Sequence, residues 1–200
     1  MIVRAHGFAI QRGTAEHVIV ELDVRAGLPA FAVLGLAGAA ARDARERVHA
    51  AVLNSGLAFP RRRMTVNLAP ASVRRSGSEL DLAIACCVVA ADGLIDPARL
   101  VRYGLFAELG LGGVLRGCAG AATAAAAAGE LGLEALVVAR ADACEARAAA
   151  ALPVSGMREL REVVALLAAG PSRAARAGLP GGLPAGAAAR GPAGPPAPPR

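Results

Sequence analysis

Two runs of arginine, Arg61-Arg62-Arg63 and Arg74-Arg75, carry the plainest chemistry in this sequence. They flank a strand pattern at 64–69, and no acid intervenes before Glu79, so they would form one basic edge. A guanidinium meets a phosphate through two parallel N–H donors, which gives sequence-independent, salt-sensitive contact with nucleic acid. The bland alternative is a solvated strand edge whose arginines meet acids elsewhere on the surface. No aromatic residue is interleaved with the runs, so nothing within them offers a base a ring to stack on.

Other reactive residue types are limited by what they lack. All 22 positive residues are Arg and none is Lys, so a G-x-x-x-x-G-K-[ST] phosphate loop cannot occur in this chain. Gly110-x-Gly112 has neither the strand–Gly–helix order nor the acidic ribose partner of a dinucleotide site, and reads as part of a hairpin. Cys86, Cys87, Cys118 and Cys144 show no C-x-x-C spacing, and His6, His17 and His49 share no metal-ligand spacing with them. Adjacent Cys86 and Cys87 sit in an apolar run and read as small core residues. Ser78-x-x-Asp81 reads as a helix cap, the hydroxyl accepting from a backbone N–H and the acid favouring the helix N-terminus. No metal, nucleotide site or cofactor is expected in the chain itself.

The elements that must position these residues follow from periodicity. HVIVELDV alternates as a half-polar strand, and three strands at 2–11, 17–25 and 30–36, joined by short turns, predict an antiparallel start. Residues 38–53 switch to a helical stripe of Ala41, Ala44, Val48 and Ala51/Val52. Its other face offers Arg42–Glu46 and Asp43–Arg47 pairs at i, i+4, and Asn54-Ser55-Gly56 supplies the stop. A strand at 63–69 and an all-round apolar helix at 80–91 come next, the latter expected to lie between layers. Tyr103–Leu109 and Val114-Leu115 read as a hairpin turned at Gly112-Gly113. Helices near 118–129, 142–150 and 157–168 then alternate with strands at 134–139 and 152–155, an α/β (α+β) order with a mixed sheet.

Composition bounds the rest. Apolar residues make up 55% of the chain but aromatics only 2%, so the core must be Ala, Val, Leu and Ile in close-packed layers with many Ala and Gly contacts. Residues 1–169 hold 18 Arg against 16 acids, while 170–200 add four Arg and no acid. The net charge of the body alone is therefore no argument for nucleic acid. Residues 170–200 are Gly, Pro, Ala and Arg almost without periodicity and are expected to be a disordered tail beyond a folded domain of 1–169. The start is not a secretory signal, and the apolar runs near 82–91 and 118–128 are too short to span a bilayer, so a soluble, cytoplasmic protein is expected.

Three stretches in order resemble one family: GLPAFAVLGLAGAAARDARERVHAAVLNSGLAFP at 27–60, RRRMTVNLAPASVRRSGSELDLAIA at 61–85, and FAELGLGGVLRG at 106–117. NSG-x-x-FP, TVNLAPA and ELGL-x-G-x-LR at these spacings are similar to the amino-terminal domain of ComM-type (YifB-like) magnesium-chelatase-subunit-like AAA+ ATPases. The resemblance covers roughly 1–168. It implies a ribosomal-protein-S5-domain-2-like fold, shared with the Lon proteolytic domain, ahead of an ATPase module. For the whole protein it implies ATP and magnesium, a cytoplasmic hexamer, and a DNA motor in uptake and recombination. Here the chain is expected to be truncated before that module, with 170–200 the product of an interrupted or shifted reading frame. The Lon likeness would place a peptidase nucleophile within a residue or two of Glu79 and its lysine near Ala121. Ser76 and Ser78 are close, but no Lys exists to activate them and Arg stays protonated. The leading function is thus a non-catalytic assembly and interaction domain, with DNA contact at Arg61, Arg62, Arg63, Arg74 and Arg75. A stand-alone nucleic-acid-binding module is the alternative, and a Lon-like peptidase comes third. No membrane partner is expected.

Overall fold

Strict alternation of buried Val18, Val20, Leu22 and Val24 with more exposed neighbours sets β2 (Thr14–Arg25), which pairs antiparallel with β1 (Ile2–Gln11). The two-residue turn between them places both Arg12 and Gly13 at positive φ, the geometry whose twist matches a right-handed hairpin. The computed structural model describes residues 1–70 and 77–169.

The third strand departs from the antiparallel start. β3 (Ala30–Leu34) does not join β2; it pairs parallel with β4 (Arg63–Ala69), which in turn lies antiparallel to β2. The reason is the 17-residue α1 (Gly38–Asn54) between β3 and β4. Parallel neighbours need a long crossover, and a helix of this length supplies it, leaving β3 at the sheet edge.

A 3-10 turn at Ser78–Leu80 leads into α2 (Asp81–Ala91), whose residues 81–90 are all buried, as its all-round apolar sequence requires. A short α3 (Pro97–Leu100), capped by the Asp96 carboxylate accepting from the Ala98 N–H at 2.9 Å, precedes β5 (Tyr103–Phe106). The expected hairpin strand 103–109 is divided. β5 joins the main sheet between β1 and β8 (Ala135–Ala139), and only β6 (Glu108–Leu109) pairs with β7 (Leu115–Arg116). After β7 come α4 (Ala121–Glu130), β8, α5 (Ala143–Ala149), β9 (Val154–Met157) and α6 (Leu160–Ala168). The main sheet has seven strands in the order β3-β4-β2-β1-β5-β8-β9, mixed in direction but mostly parallel. The arginines and glycines at 170–200 and the segment 71–76, with Ser76, Arg74 and Arg75, lie outside the described residues.

Helices cover both faces of the sheet. One core joins α1, α2 and α6 to β1, β2 and β4 through Val48, Val52, Leu82, Ile84 and Leu167. The other packs α4 and α5 on Phe8, Phe106, Leu136 and Val138, with alanines 121, 124, 125 and 128 as the helix face. Small residues make the layers close. A Cβ on Gly7 of β1 would lie 2.7 Å from Leu80 Cδ2, and one on Gly156 of β9 would lie 2.5 Å from Ala143 Cβ. Among the described residues no helix is long and apolar enough to cross a membrane.

The cap expected at Ser78-x-x-Asp81 is not what forms. Neither cap residue, Gly77 nor Leu80, supplies a side-chain acceptor, and Asp81 turns inward. Fully buried, its carboxylate accepts from Arg47 Nε at 2.7 Å, Arg47 Nη2 at 3.1 Å and the Leu109 N–H at 3.4 Å. A carboxylate without water must find donors, and the half-buried guanidinium of α1 provides two. Arg47 therefore pairs with Asp81 across the helix interface, not with Asp43 along α1, and Arg45 pairs with its neighbour Glu46 at 3.0 Å. Asp81 still occupies the first turn of α2, where the helix dipole favours negative charge.

Burial outweighs Arg47 and pushes the Asp81 carboxyl up to about 6. A folded-state value above the unfolded one means that stability from this group is fully present below the ordinary value of about 3.9 and is lost as pH rises towards 6. Removing Arg47 while Asp81 is charged strands a buried anion. Arg47→Met is expected to cost roughly 3–5 kcal/mol at pH 8 and clearly less at pH 5, where Asp81 is protonated. Urea unfolding at the two pH values checks it; an equal cost at both would contradict the account.

Candidate nucleic-acid interface

The turn after α1 brings the first arginine run to the sheet edge. Ser55 closes α1, Gly56 takes φ +70°, and residues 57–62 run back to β4, where the Ala30 N–H donates to the Arg62 carbonyl at 3.3 Å. Arg61 and Arg62 are exposed and line a groove of about 380 Å³ whose other walls are Phe31 of β3, His49 and Leu53 of α1, and Phe59-Pro60. Inside it, the Phe31 and Phe59 rings meet edge to face with centroids 5.3 Å apart, and His49 meets Phe59 the same way at 4.5 Å. Such edge-to-face contacts place positive ring edges on negative ring faces and hold the three rings as a unit. These rings are what the sequence reading missed. Phe59 stands two residues before Arg61, a signal in plain view, whereas Phe31 reaches the arginines only because β3 pairs with β4.

Arg63 goes elsewhere. It points to the opposite side of β4 and lines a separate cleft of about 620 Å³ with Glu21, Asp23, Arg25, Thr65 and Asn67. Acids and arginines are balanced in that lining, and both acids are paired. Asp23 holds Arg25 at 2.5 Å, and Glu21 accepts from Arg4 at 2.8 Å and Asn67 at 3.3 Å, bonds that hold its carboxyl below the usual range. The expected basic edge is thus split between two faces, with Arg61 and Arg62 on one and Arg63 on the other. Among the described residues no ion pair involves any of the three.

A third cleft, of about 380 Å³, holds two of the positions considered for peptidase chemistry, Ser78 and Glu79 from the 3-10 turn ahead of α2, with Glu108 and with Gly117, Cys118 and Ala119 before α4. Ala121, near the place of the lysine, is a buried alanine on the α4 core face. The thiol of Cys118 is pushed up to about 12 by burial, and the charges of Glu79, Asp142 and Glu108 add to the rise. A thiol held this high is protonated at neutral pH and is a poor nucleophile. Burial likewise pushes Cys86 up to about 12 and Cys87 well above the ordinary thiol value, in keeping with their place in the core.

His6 and His17 meet across β1 and β2 through Nδ1 and Nε2, 2.7 Å apart. Their centroids are 5.0 Å apart, which is the separation of two rings joined nitrogen to nitrogen, so the contact is edge on although the planes differ by only 22°. His6 also bonds the Val101 backbone, and burial lowers both rings, His17 further through the charge of His6. Among the described residues no three His, Cys, Asp or Glu side chains are grouped to hold a metal.

Residues 20–142 match the family described as subunit ChlI of Mg-chelatase. The chain belongs to this family, in its ComM/YifB-like branch. It is 37% identical over 131 residues to the uncharacterized protein YifB of Salmonella typhimurium, covering 66% of this chain and 26% of that protein. It is 37% identical over 129 residues to the competence protein ComM of Haemophilus influenzae, covering 64% of this chain and 25% of that protein. Against the uncharacterized protein Rv2897c of Mycobacterium tuberculosis identity is 35% over 173 residues, 86% of this chain and 34% of the relative. The chain thus spans between a quarter and a third of the length of the curated relatives it matches.

The thiols give a direct check on the third cleft. Exposed Cys144 should react with a disulfide reagent at pH 8 well before half-buried Cys118, and buried Cys86 and Cys87 only on unfolding. Mass-spectrometric mapping that finds Cys118 labelled as fast as Cys144 would show a thiolate the cleft should not permit.

Proposed function

We propose that this chain is the non-catalytic amino-terminal assembly and interaction domain of a ComM-type AAA+ ATPase. The whole protein would be a cytoplasmic, hexameric DNA motor that uses ATP and magnesium in DNA uptake and recombination. The domain would have the ribosomal-protein-S5-domain-2-like fold that the Lon proteolytic domain shares. Support for that fold comes from the order β-β-β-α-β-α, with β3 and β4 parallel across α1, and from the cleft between the starts of α2 and α4. Support for the role comes from the family and from the name of the Haemophilus influenzae relative, a competence protein.

DNA contact is proposed for Arg61, Arg62, Arg63, Arg74 and Arg75. The observation that carries it is the acid-free groove in which Arg61 and Arg62 stand without an ion-pair partner among the described residues. Phosphates are the natural counter-charge for guanidinium groups left in this state. Replacing all five arginines by Gln is expected to weaken DNA binding and to flatten its dependence on salt by about 0.7–0.9 in log–log slope for each phosphate no longer neutralised. Binding isotherms between 50 and 200 mM salt, salt levels at which such contacts change affinity by orders of magnitude, decide it; an unchanged slope would remove these arginines from the interface.

Catalysis is proposed to be absent from this chain, since no Lys is present for a phosphate loop or a Ser–Lys pair. The purified chain should release no phosphate from ATP and cleave no casein. Turnover that disappears on substituting one of its own residues would overturn this.

A further inference from the structure

We infer that the groove at the β3 edge takes single-stranded DNA, with a base against the Phe31–Phe59–His49 ring cluster and neighbouring phosphates on Arg61 and Arg62. The inference rests on the proposed DNA contact and adds which form of DNA the site recognises.

Several clefts among the described residues carry charged side chains, and only the β3-edge groove carries arginines without an acid. In the sheet cleft a phosphate near Arg25 or Arg63 would also meet Glu21 and Asp23, and the α2–α4 cleft is lined by Glu79 and Glu108 with no arginine. The β3-edge groove has no acid in its lining and joins two unpaired guanidinium groups to ring surfaces. Phe31 and Phe59 are half-buried and His49 is exposed, so the cluster is anchored below and open above. A second hollow of about 280 Å³ on the far side of Phe31 and His49 contains Arg45, but Glu46 neutralises it at 3.0 Å. The rings thus form a ridge with uncompensated positive charge on one side only.

This combination favours an unpaired strand over a duplex. In a duplex both faces of each base are covered by its neighbours, so the ring ridge would meet only sugar and phosphate. A single strand exposes base faces that stack on aromatic rings whatever the sequence, while arginines follow the backbone. Guanidinium groups also stack on bases, which ammonium groups do not. The groove offers no fan of amide or carboxylate side chains to read base edges, so recognition would be of strand form, not of sequence.

The test uses the full chain with a fluorescein-labelled oligo(dT) of twenty nucleotides and a twenty-base-pair duplex, followed by anisotropy at 50 and 200 mM salt. The single strand should bind at least tenfold tighter than the duplex. Phe59→Leu and Phe31→Leu should each weaken single-strand binding roughly 5- to 100-fold, the worth of one base–aromatic stack, and leave the duplex and the salt slope unchanged. Arg61→Gln with Arg62→Gln should instead lower the slope for both ligands. Thermal melts followed by circular dichroism establish that the variants fold; should the leucine variants fail to, His49→Ala on the exposed helix face carries the same expectation. Equal affinity for both DNA forms with silent ring variants would overturn the single-strand reading and leave the basic contact standing. Binding of neither DNA would overturn both. Tight binding of poly-glutamate in place of DNA, weakened by the ring variants, would make the occupant an acidic protein segment and also overturn it.

Discussion

Asp81 is fully buried where α1, α2 and β6 converge. Its two oxygens take both donors of the Arg47 fork and one backbone N–H from Leu109, so three separate chain segments share one carboxylate. Apolar packing alone would let α1 slide along α2, because contacts among Ala, Val and Leu discriminate weakly between registers. A bidentate pair does not slide. Its net contribution to stability is modest, since burial opposes the charge it needs, but breaking one half is costly and that asymmetry specifies the register.

The groove inherits this register. Arg47 points into the interface, and His49, two residues on, is turned about 200° around α1 and points out. Fixing the first fixes the second, and with it the edge contact between His49 and Phe59. β3 contributes Phe31 from the other side only because α1 serves as the crossover that lays β3 parallel to β4. The ring cluster is thus a product of the same helix, anchored on one face and used on the other.

Local patterns in the sequence were enough to draw most elements. β2 alternates with period two, α1 carries a clean stripe, and α2 is apolar throughout; each appears within a few residues of where periodicity puts it. What periodicity does not encode is partner choice. β3 looks like the third strand of a meander until the length of α1 is weighed against the short turns that a meander needs. Strand 103–109 looks continuous because the break at Ala107 changes neither composition nor alternation. Ser78-x-x-Asp81 has the spacing of a cap, and only the depth of α2 in the core turns Asp81 towards Arg47. In the same way Arg61-Arg62-Arg63 is one run in sequence and two faces in space, since β4 begins only at Arg63, whose side chain takes the face opposite Met64, while Arg61 and Arg62 precede the strand and line the Met64 side.

The charge of the body is close to neutral, yet that neutrality is not evenly spread. Arg4, Arg25, Arg45, Arg47, Arg102, Arg116 and Arg161 each stand within ion-pair distance of an acid. Arg61 and Arg62, like several other arginines, do not, and they are set apart because they share a groove with no acid in its lining, a local positive site that no net charge reveals. That every cation is Arg matters to the kind of site this is. A guanidinium keeps its charge at any ordinary pH, so it cannot serve as the proton acceptor that a serine nucleophile would need. The same planar, permanently charged group pairs with phosphate through two bonds and lies flat against an aromatic face. Replacing lysine throughout by arginine therefore takes away one chemistry and suits another, and the residues beside Arg61 and Arg62 are the planar rings with which the second can work.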